Sequence, residues 1–369
     1  MPELKSEKVG FKKPCSQCGA ELKYSPGTEH LLCPYCNHKE TIESKNESIE
    51  ELNIKKYLDE MGSLSHSEEI AILNCKNCGA PQHVQENYQS LQCVYCSNPL
   101  VIEDAKSEQW ILPGAVLPFQ LEQQKSHQIF KNWVNSLWFA PNVLKEVSID
   151  PQKTKGLYLP YWTFDAQMVA DYQGEQGTYY YETVHYTAVE NGNRVRRSRQ
   201  ERRTQWKKVS GTVSGFVDDT LINASRKHRG VIPRGVSSWN LKLLKPFDSS
   251  YLSGFITEKY TLPLKEGNEQ AHNEARRIAE MWARQDIGGD TQRVYTLQPR
   301  LSEETFKHIL VPLFISTYKY KDRIYHFYIN GQSGVTSGER PYSFWKIFFF
   351  VLFVLAVFAT IVFVMEATA

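Results

Sequence analysis

The chain has 369 residues, a formal charge of +2 and a mean hydropathy of −0.46. That length allows two or three domains, the near-neutral charge singles out no partner, and the polar average excludes any membrane segment that is not local. Met1–Gly10 is charged without an apolar stretch, so no secretory signal is visible and a disulfide framework is not expected.

All 8 cysteines lie before residue 97, in two copies of one pattern. Cys15, Cys18, Cys33 and Cys36 form the first copy, and Cys75, Cys78, Cys93 and Cys96 repeat it at an offset of 60 residues. Paired Cys-x-x-Cys knuckles at this separation are the ligand spacing of a structural zinc site. A segment this short cannot bury enough apolar surface to offset its chain entropy, whereas four thiolates on Zn²⁺ supply about 10 to 16 kcal/mol of folding energy. Gly19 and Gly79 suit the tight turn after each first knuckle. The copies also share Ala20 with Ala80, Leu31 with Leu91, Tyr35 with Tyr95 and Ile42-Glu43 with Ile102-Glu103. Two zinc ribbons are therefore expected, over 11–44 and 71–105, holding two Zn²⁺ ions. Four-thiolate sites are closed, so the metal is structural, and His30, His38, His66 and His83 are expected to be surface residues.

Between the ribbons, 45–70 reads as a helical linker, with Ile49, Leu52, Ile54, Tyr57 and Leu58 recurring within Glu47–Met61. Residues 106–340 read as a mainly antiparallel α+β domain, and the 20 tyrosines, 18 phenylalanines and 8 tryptophans of the chain favour sheet over helical bundle. Leu121–Leu137 has a helical apolar stripe through Ile129, Trp133 and Leu137. Tyr158–Asp171 and Gly177–Val189 alternate as strands, and the turn Glu190-Asn191-Gly192-Asn193 links the second to Arg194–Val209 as a hairpin. Glu266–Gln285 reads as a long helix ended by Gly288-Gly289. Val311–Tyr320 and Tyr325–Ile329 form another hairpin-like pair.

The returning strand of the first hairpin carries Arg194, Arg196, Arg197, Arg199, Arg202, Arg203, Lys207 and Lys208 against one acid, Glu201. Such a cluster suits phosphate, in nucleic acid or in anionic lipid headgroups, and equally a solvated hairpin whose charges answer acids elsewhere. Ile347–Met365 is a run of 19 residues in which only Thr360 is polar. At 1.5 Å per residue it spans a hydrocarbon core of about 30 Å with little tilt. A transmembrane helix is expected over 344–365, acting as a C-terminal anchor. Arg340 and Lys346 flank the N-terminal side of the apolar run, with Tyr342 and Trp345 as interfacial aromatics and Glu366 on the far side. This places the N-terminal domains in the cytoplasm at the inner membrane, in agreement with reduced cysteines.

Catalytic patterns are absent: no phosphate loop, no Gly-x-Ser-x-Gly elbow and no His-Glu-x-x-His pair. Asp218, Asp219, Asp286 and Asp290 read as caps and turn residues, and His228 and His308 show no partner. The chain is not expected to be an enzyme.

Longer motifs carry a family resemblance. They are Trp138-Phe139-Ala140-Pro141-Asn142, Tyr158-Leu159-Pro160-Tyr161-Trp162-Thr163-Phe164-Asp165, Asp286-Ile287-Gly288-Gly289-Asp290-Thr291-Gln292-Arg293, Thr305-Phe306-Lys307-His308-Ile309-Leu310, Asn330-Gly331 and Gly338-Glu339-Arg340-Pro341-Tyr342-Ser343. With the ribbons, they resemble bacterial membrane-bound proteins with TFIIB-type zinc ribbons, often labelled primosomal protein N′ (replication factor Y) helicase-like. A helicase motor needs a phosphate loop and a magnesium-binding acid, and this chain has neither. The chain also resembles a ribbon-and-anchor protein of bacilli, which implies recruitment of a phage shock protein A homologue to the membrane during envelope stress. The expected function is a non-enzymatic membrane adaptor for a cytoplasmic protein. The alternative is a nucleic-acid-binding ribbon protein without a motor.

Overall fold

A computed structural model describes residues 13–43, 48–59, 67–83, 91–96, 98–100, 106–146, 154–190, 193–226, 232–233, 235–321 and 323–368. The first ribbon is a three-stranded antiparallel sheet of β1 (Lys23–Tyr24), β2 (His30–Leu32) and β3 (Lys39–Thr41). β4 (Leu52–Asn53) leads into α1 (Ile54–Asp59). Among the described residues, the linker helix expected over Glu47–Met61 is confined to α1. Leu52 and Asn53 pair instead with Phe306 and Thr305, and the Asn53 side chain then caps the helix by accepting the Lys56 N–H at 3.0 Å.

The second ribbon comprises β5 (Ser67–Asn74), β6 (Pro81–His83), β7 (Leu91–Gln92) and β8 (Pro99–Leu100), with β9 (Lys106–Ile111) pairing back along β5. β10 (Ala115–Val116), α2 (Gln123–Ser136) and α3 (Asn142–Glu146) follow. Next come three long strands and their partners: β11 (Thr154–Glu190), β12 (Asn193–Asn223), β13 (Lys245–Pro246), β14 (Ile256–Glu258), α4 (Leu264–Ile287), β15 (Thr291–Tyr320), β16 (Arg323–Asn330) and β17 (Thr336–Gly338). α5 (Phe344–Thr368) ends the chain. The architecture is α+β. Among the described ladders only β10–β15 and β11–β14 are parallel.

β11 is the spine of the sheet. Its first half pairs with β15 from Thr154↔Ser316 to Gly177↔Thr291, and β12 covers its other edge from Tyr161↔Asn223 to the tip at Glu190↔Asn193. The sequence suggests a break between Asp171 and Gly177, and the backbone has none. At Gly174 the β15 register shifts, and a Cβ there would lie 2.1 Å from the Arg293 carbonyl oxygen. That glycine permits close strand approach and does not end the strand.

α4 lies on this sheet through a stripe repeating every four residues, Gly267, Ala271, Ala275, Ala279, Ala283 and Ile287, all buried. Small residues bring the helix close to Met168, Ala170, Tyr172, Val217 and Leu297. Gly288, at φ 64°, ends it as the Gly-Gly signal predicts. Both ribbons merge into the body's apolar core. Leu22, Tyr24 and Leu31 pack in one cluster with Phe119, Tyr158 and Phe314, and Leu73, Val94 and Tyr95 in another with Leu157, Tyr161 and Ile309.

Candidate functional site

The two cysteine quartets are built alike. In each, a Cys-x-x-Cys turn is closed by the glycine N–H donating to the first cysteine's carbonyl, Gly19 to Cys15 at 2.9 Å and Gly79 to Cys75 at 2.6 Å. Both glycines have positive φ, 74° and 71°. The second knuckles correspond as well, with Cys33 and Cys93 each donating an N–H at 2.8 Å, to His38 and Asn98. Sulfur atoms stand 3.6 Å (Cys15–Cys36) and 3.5 Å (Cys18–Cys33) apart in the first quartet. The second gives 3.6 Å (Cys75–Cys96) and 3.4 Å (Cys78–Cys93). These are not disulfide distances. They approach the edge of about 3.8 Å that a tetrahedron with a metal–sulfur bond of about 2.3 Å requires. Within each quartet all four ligand atoms lie inside 4.8 Å of one another. Backbone N–H groups of Cys36 and Tyr35 pull the Cys33 thiol down, whereas burial and the other sulfurs of the quartet push Cys36 up, so the group as a whole needs a cation to hold four thiolates. The eight cysteines thus form two groups able to hold metal ions, and the all-thiolate donor set suits zinc.

The duplicated modules differ in how they meet the body. Tyr95 of the second ribbon is buried and donates to Glu258 of β14, which also accepts from Ser225. β6 pairs with β14, so this ribbon is continuous with the main sheet. The first ribbon keeps its own sheet and docks by its loop side. There the Tyr24 N–H donates to Ser253 and the Gly27 N–H to Phe119, at 3.0 and 2.9 Å. Its equivalent tyrosine, Tyr35, is 84% exposed. Of the nearby histidines, His30 and His38 are half-buried, with His38 Nε2 against Ser16 Oγ at 3.2 Å. His66 lies outside the described residues, and His83 is placed only by its backbone in β6.

Six of the eight basic residues lie on an arm, and Lys207 and Lys208 lie at its base. β15 reaches only as far as Gly177, so 178–190 and their partners 193–205 continue as a two-stranded ribbon roughly 40 Å long. Pairing there is regular, so side chains alternate between two faces. Arg194, Arg196, Arg202 and Lys208 share one face with Tyr179 and Tyr181, and Arg197, Arg199, Arg203 and Lys207 share the other with Tyr180 and Tyr186. Some of the charge is answered locally, by Arg203–Glu182 at 2.6 Å and Arg199 Nε–Glu201 at 2.8 Å. Arg202 lies over the Tyr179 ring at 4.3 Å and Arg199 over Tyr186 at 5.4 Å. Both readings of the cluster thus have a basis, since part of it is internally paired and Arg194 and Arg196 have no acidic partner among the described residues.

The remaining candidate acids separate into two places along β11, one at Asp165 and the other between Tyr172 and Tyr179, about 23 to 46 Å further on. Asp286 accepts the Tyr172 hydroxyl at 2.5 Å and Asp290 the Tyr179 N–H at 2.7 Å, both as turn-fixing groups. Asp165, Asp218 and Asp219 come within metal-binding reach of one another. However, the Lys307 ammonium stands 3.4 Å from Asp165 and 3.1 Å from Asp219, with Glu51 at 3.0 Å. A lysine supplies the positive charge, making this an ion cluster in which Lys307 and Asp165 are buried and Asp219 and Glu51 reach solvent. His308 has a partner that the sequence does not reveal: its Nδ1–H donates to the Ile111 carbonyl at 2.7 Å. His228 lies outside the described residues. Sequence reasoning also missed Glu258 and Lys307. The one signal for Lys307 is its position, at the head of the apolar run from Ile309 to Ile315.

At the other end of the sheet, α5 is exposed along its length and is the one described helix long and apolar enough to cross a membrane, over Phe344–Ala367. β17 leads into it and pairs with β16, whose Phe327 faces Ser316 of β15. Ser316 in turn faces Thr154 at the start of β11. The candidate span and the arm therefore sit at opposite ends of one strand.

The chain is similar to the uncharacterized protein YdjG of Bacillus subtilis (strain 168), at 24% identity over 344 residues that cover 90% of this chain and 91% of that protein. No family model matches the sequence, and no solved structure matches it.

Proposed function

We propose that this protein is a non-enzymatic, single-span membrane adaptor that docks a cytoplasmic protein through the basic arm. The two quartets hold structural Zn²⁺ and stiffen the base from which the arm projects. One observation carries the reading: among the described residues the arm has neither a third strand nor a helix against it, at the far end of β11 from the candidate span. A lone two-stranded ribbon is marginal in water, so one this long is a surface held ready for a partner. Three arginines per face of the arm suit an acidic protein that embraces the ribbon better than a flat bilayer, which meets one face. Reduced thiolates and the basic flank of Arg340 and Lys346 support a cytoplasmic orientation. The family resemblance supports a phage shock protein A homologue as the partner, in envelope stress.

The test uses full-length protein in detergent as bait for such a homologue. Capture is expected from the wild type, with at least a tenfold loss when Arg196, Arg197, Arg199 and Arg202 are all changed to Gln. Absent capture, or capture indifferent to those changes, would sink the reading. Tyrosines interleaved with arginines also favour a second reading, single-stranded nucleic acid stacked along the ribbon. That reading requires binding that falls steeply with salt and is lost in the same variant.

A further inference from the structure

The segment Trp138–Asn142, a loop running into the first residue of α3, belongs to no catalytic or metal site, yet it is built against the start of α5. Three successive loop carbonyls receive donors from that helix end. The Ser343 N–H donates to Phe139 at 2.8 Å, and the Lys346 ammonium donates to Trp138 at 3.2 Å and Ala140 at 2.7 Å. Backbone carbonyls leaving water must be satisfied internally, and here they are. Lys346, which would otherwise extend toward water, turns back onto the loop. The loop's rings go the other way, deeper along the helix. Trp138 and Phe139 both meet Phe350, with centroids at 6.1 and 5.2 Å. Trp138 is nevertheless 71% exposed and Val143 58%, so no described residue covers them.

Length decides what does. The apolar run Ile347–Met365 is about 28 Å long, just enough for a hydrocarbon core of about 30 Å. If Trp138 and Phe139 stayed in water, Phe350 would stay with them, and the embedded remainder, Val351–Met365, would be only about 22 Å. A run that short leaves a large mismatch, so Phe350 belongs inside the boundary and brings the loop rings to it. Tryptophan is also the side chain most at home at that depth.

We infer that Trp138–Asn142 is a second membrane contact, with Trp138 and Phe139 inserted at the lipid interface beside α5. The contact seats the α+β domain on the bilayer. This rests on α5 being a membrane span, and the test separates the two claims. Full-length protein is reconstituted into phosphatidylcholine–phosphatidylglycerol vesicles, with or without lipid brominated near the top of one acyl chain. The fluorescence lost on Trp138→Phe isolates the loop, and that lost on Trp345→Phe isolates the helix start. Both components are expected to be quenched several-fold more by brominated lipid than by aqueous iodide. A Trp138 component quenched by iodide while Trp345 responds to lipid overturns the loop contact alone. Iodide quenching of both overturns the span together with the loop.

Discussion

His308 shows how a single buried group sets a pH response. It is enclosed by Trp110, Trp162 and Tyr260, with ring centroids 5.7, 4.9 and 5.6 Å away. Its Nδ1–H is used by Ile111, and its Nε2 has no partner among the described residues. Burial pushes its pKa down to about 4, so the folded state resists the second proton while the unfolded chain accepts it near 6.5. The stability it contributes is complete above pH 6.5 and is lost as pH falls toward 4, roughly 3 kcal/mol in all. Thermal melts of detergent-solubilised protein should become less stable across that window, and His308→Phe should flatten this part of the profile even if it lowers stability throughout. An unchanged slope in the variant would assign the acid response to other groups. At this scale the sequence is uneven. Cysteine ligands are legible because their spacing is local, whereas the acceptor for His308 is a carbonyl 197 positions away.

Among the elements, the arm makes the clearest demand. Its two strands follow from alternation and the Asn-Gly turn, but its length does not, because Gly174 and Gly177 resemble a break and serve close packing. Where β15 stops is equally hidden, since a strand's reach depends on its partner's register. Because the arm meets no other described element, it is expected to be dispensable for folding. Replacing 180–203 by Asn-Gly joins Tyr179 to Thr204, which already face each other. That variant should keep two metal ions per chain and melt within about 1 kcal/mol of wild-type stability, since exposed segments of this kind carry little of it. A large drop in melting temperature would show that the arm is part of the core.

For the whole molecule, the duplicated ribbons have unequal stakes in the body. The repeat is plain in the sequence, but the difference between Tyr35 and Tyr95 is not, because it depends on Glu258 of a distant strand. Loss of metal from the second ribbon should loosen β6 and, through β14, the start of β11. Loss from the first should stay within its own sheet and docking loop. Cys78→Ser and Cys18→Ser are each expected to lower bound metal from two ions to one, by metal analysis of purified protein. Of the two, Cys78→Ser should lower the main melting transition by several degrees more. Equal shifts would contradict the continuity of the second ribbon with the sheet.

The regular pairing of β11 with β12 beyond Gly177 makes the arm a ruler. Each residue advances the tip by about 3.3 Å, and two residues restore the original face. Removing a matched pair from both strands would therefore shorten the reach by about 7 Å and keep every remaining arginine on its side. Removing a single facing couple would shorten it by half as much and turn both basic surfaces over. Relatives that differ in arm length by even steps would preserve the arrangement of charge, and odd steps would reverse it.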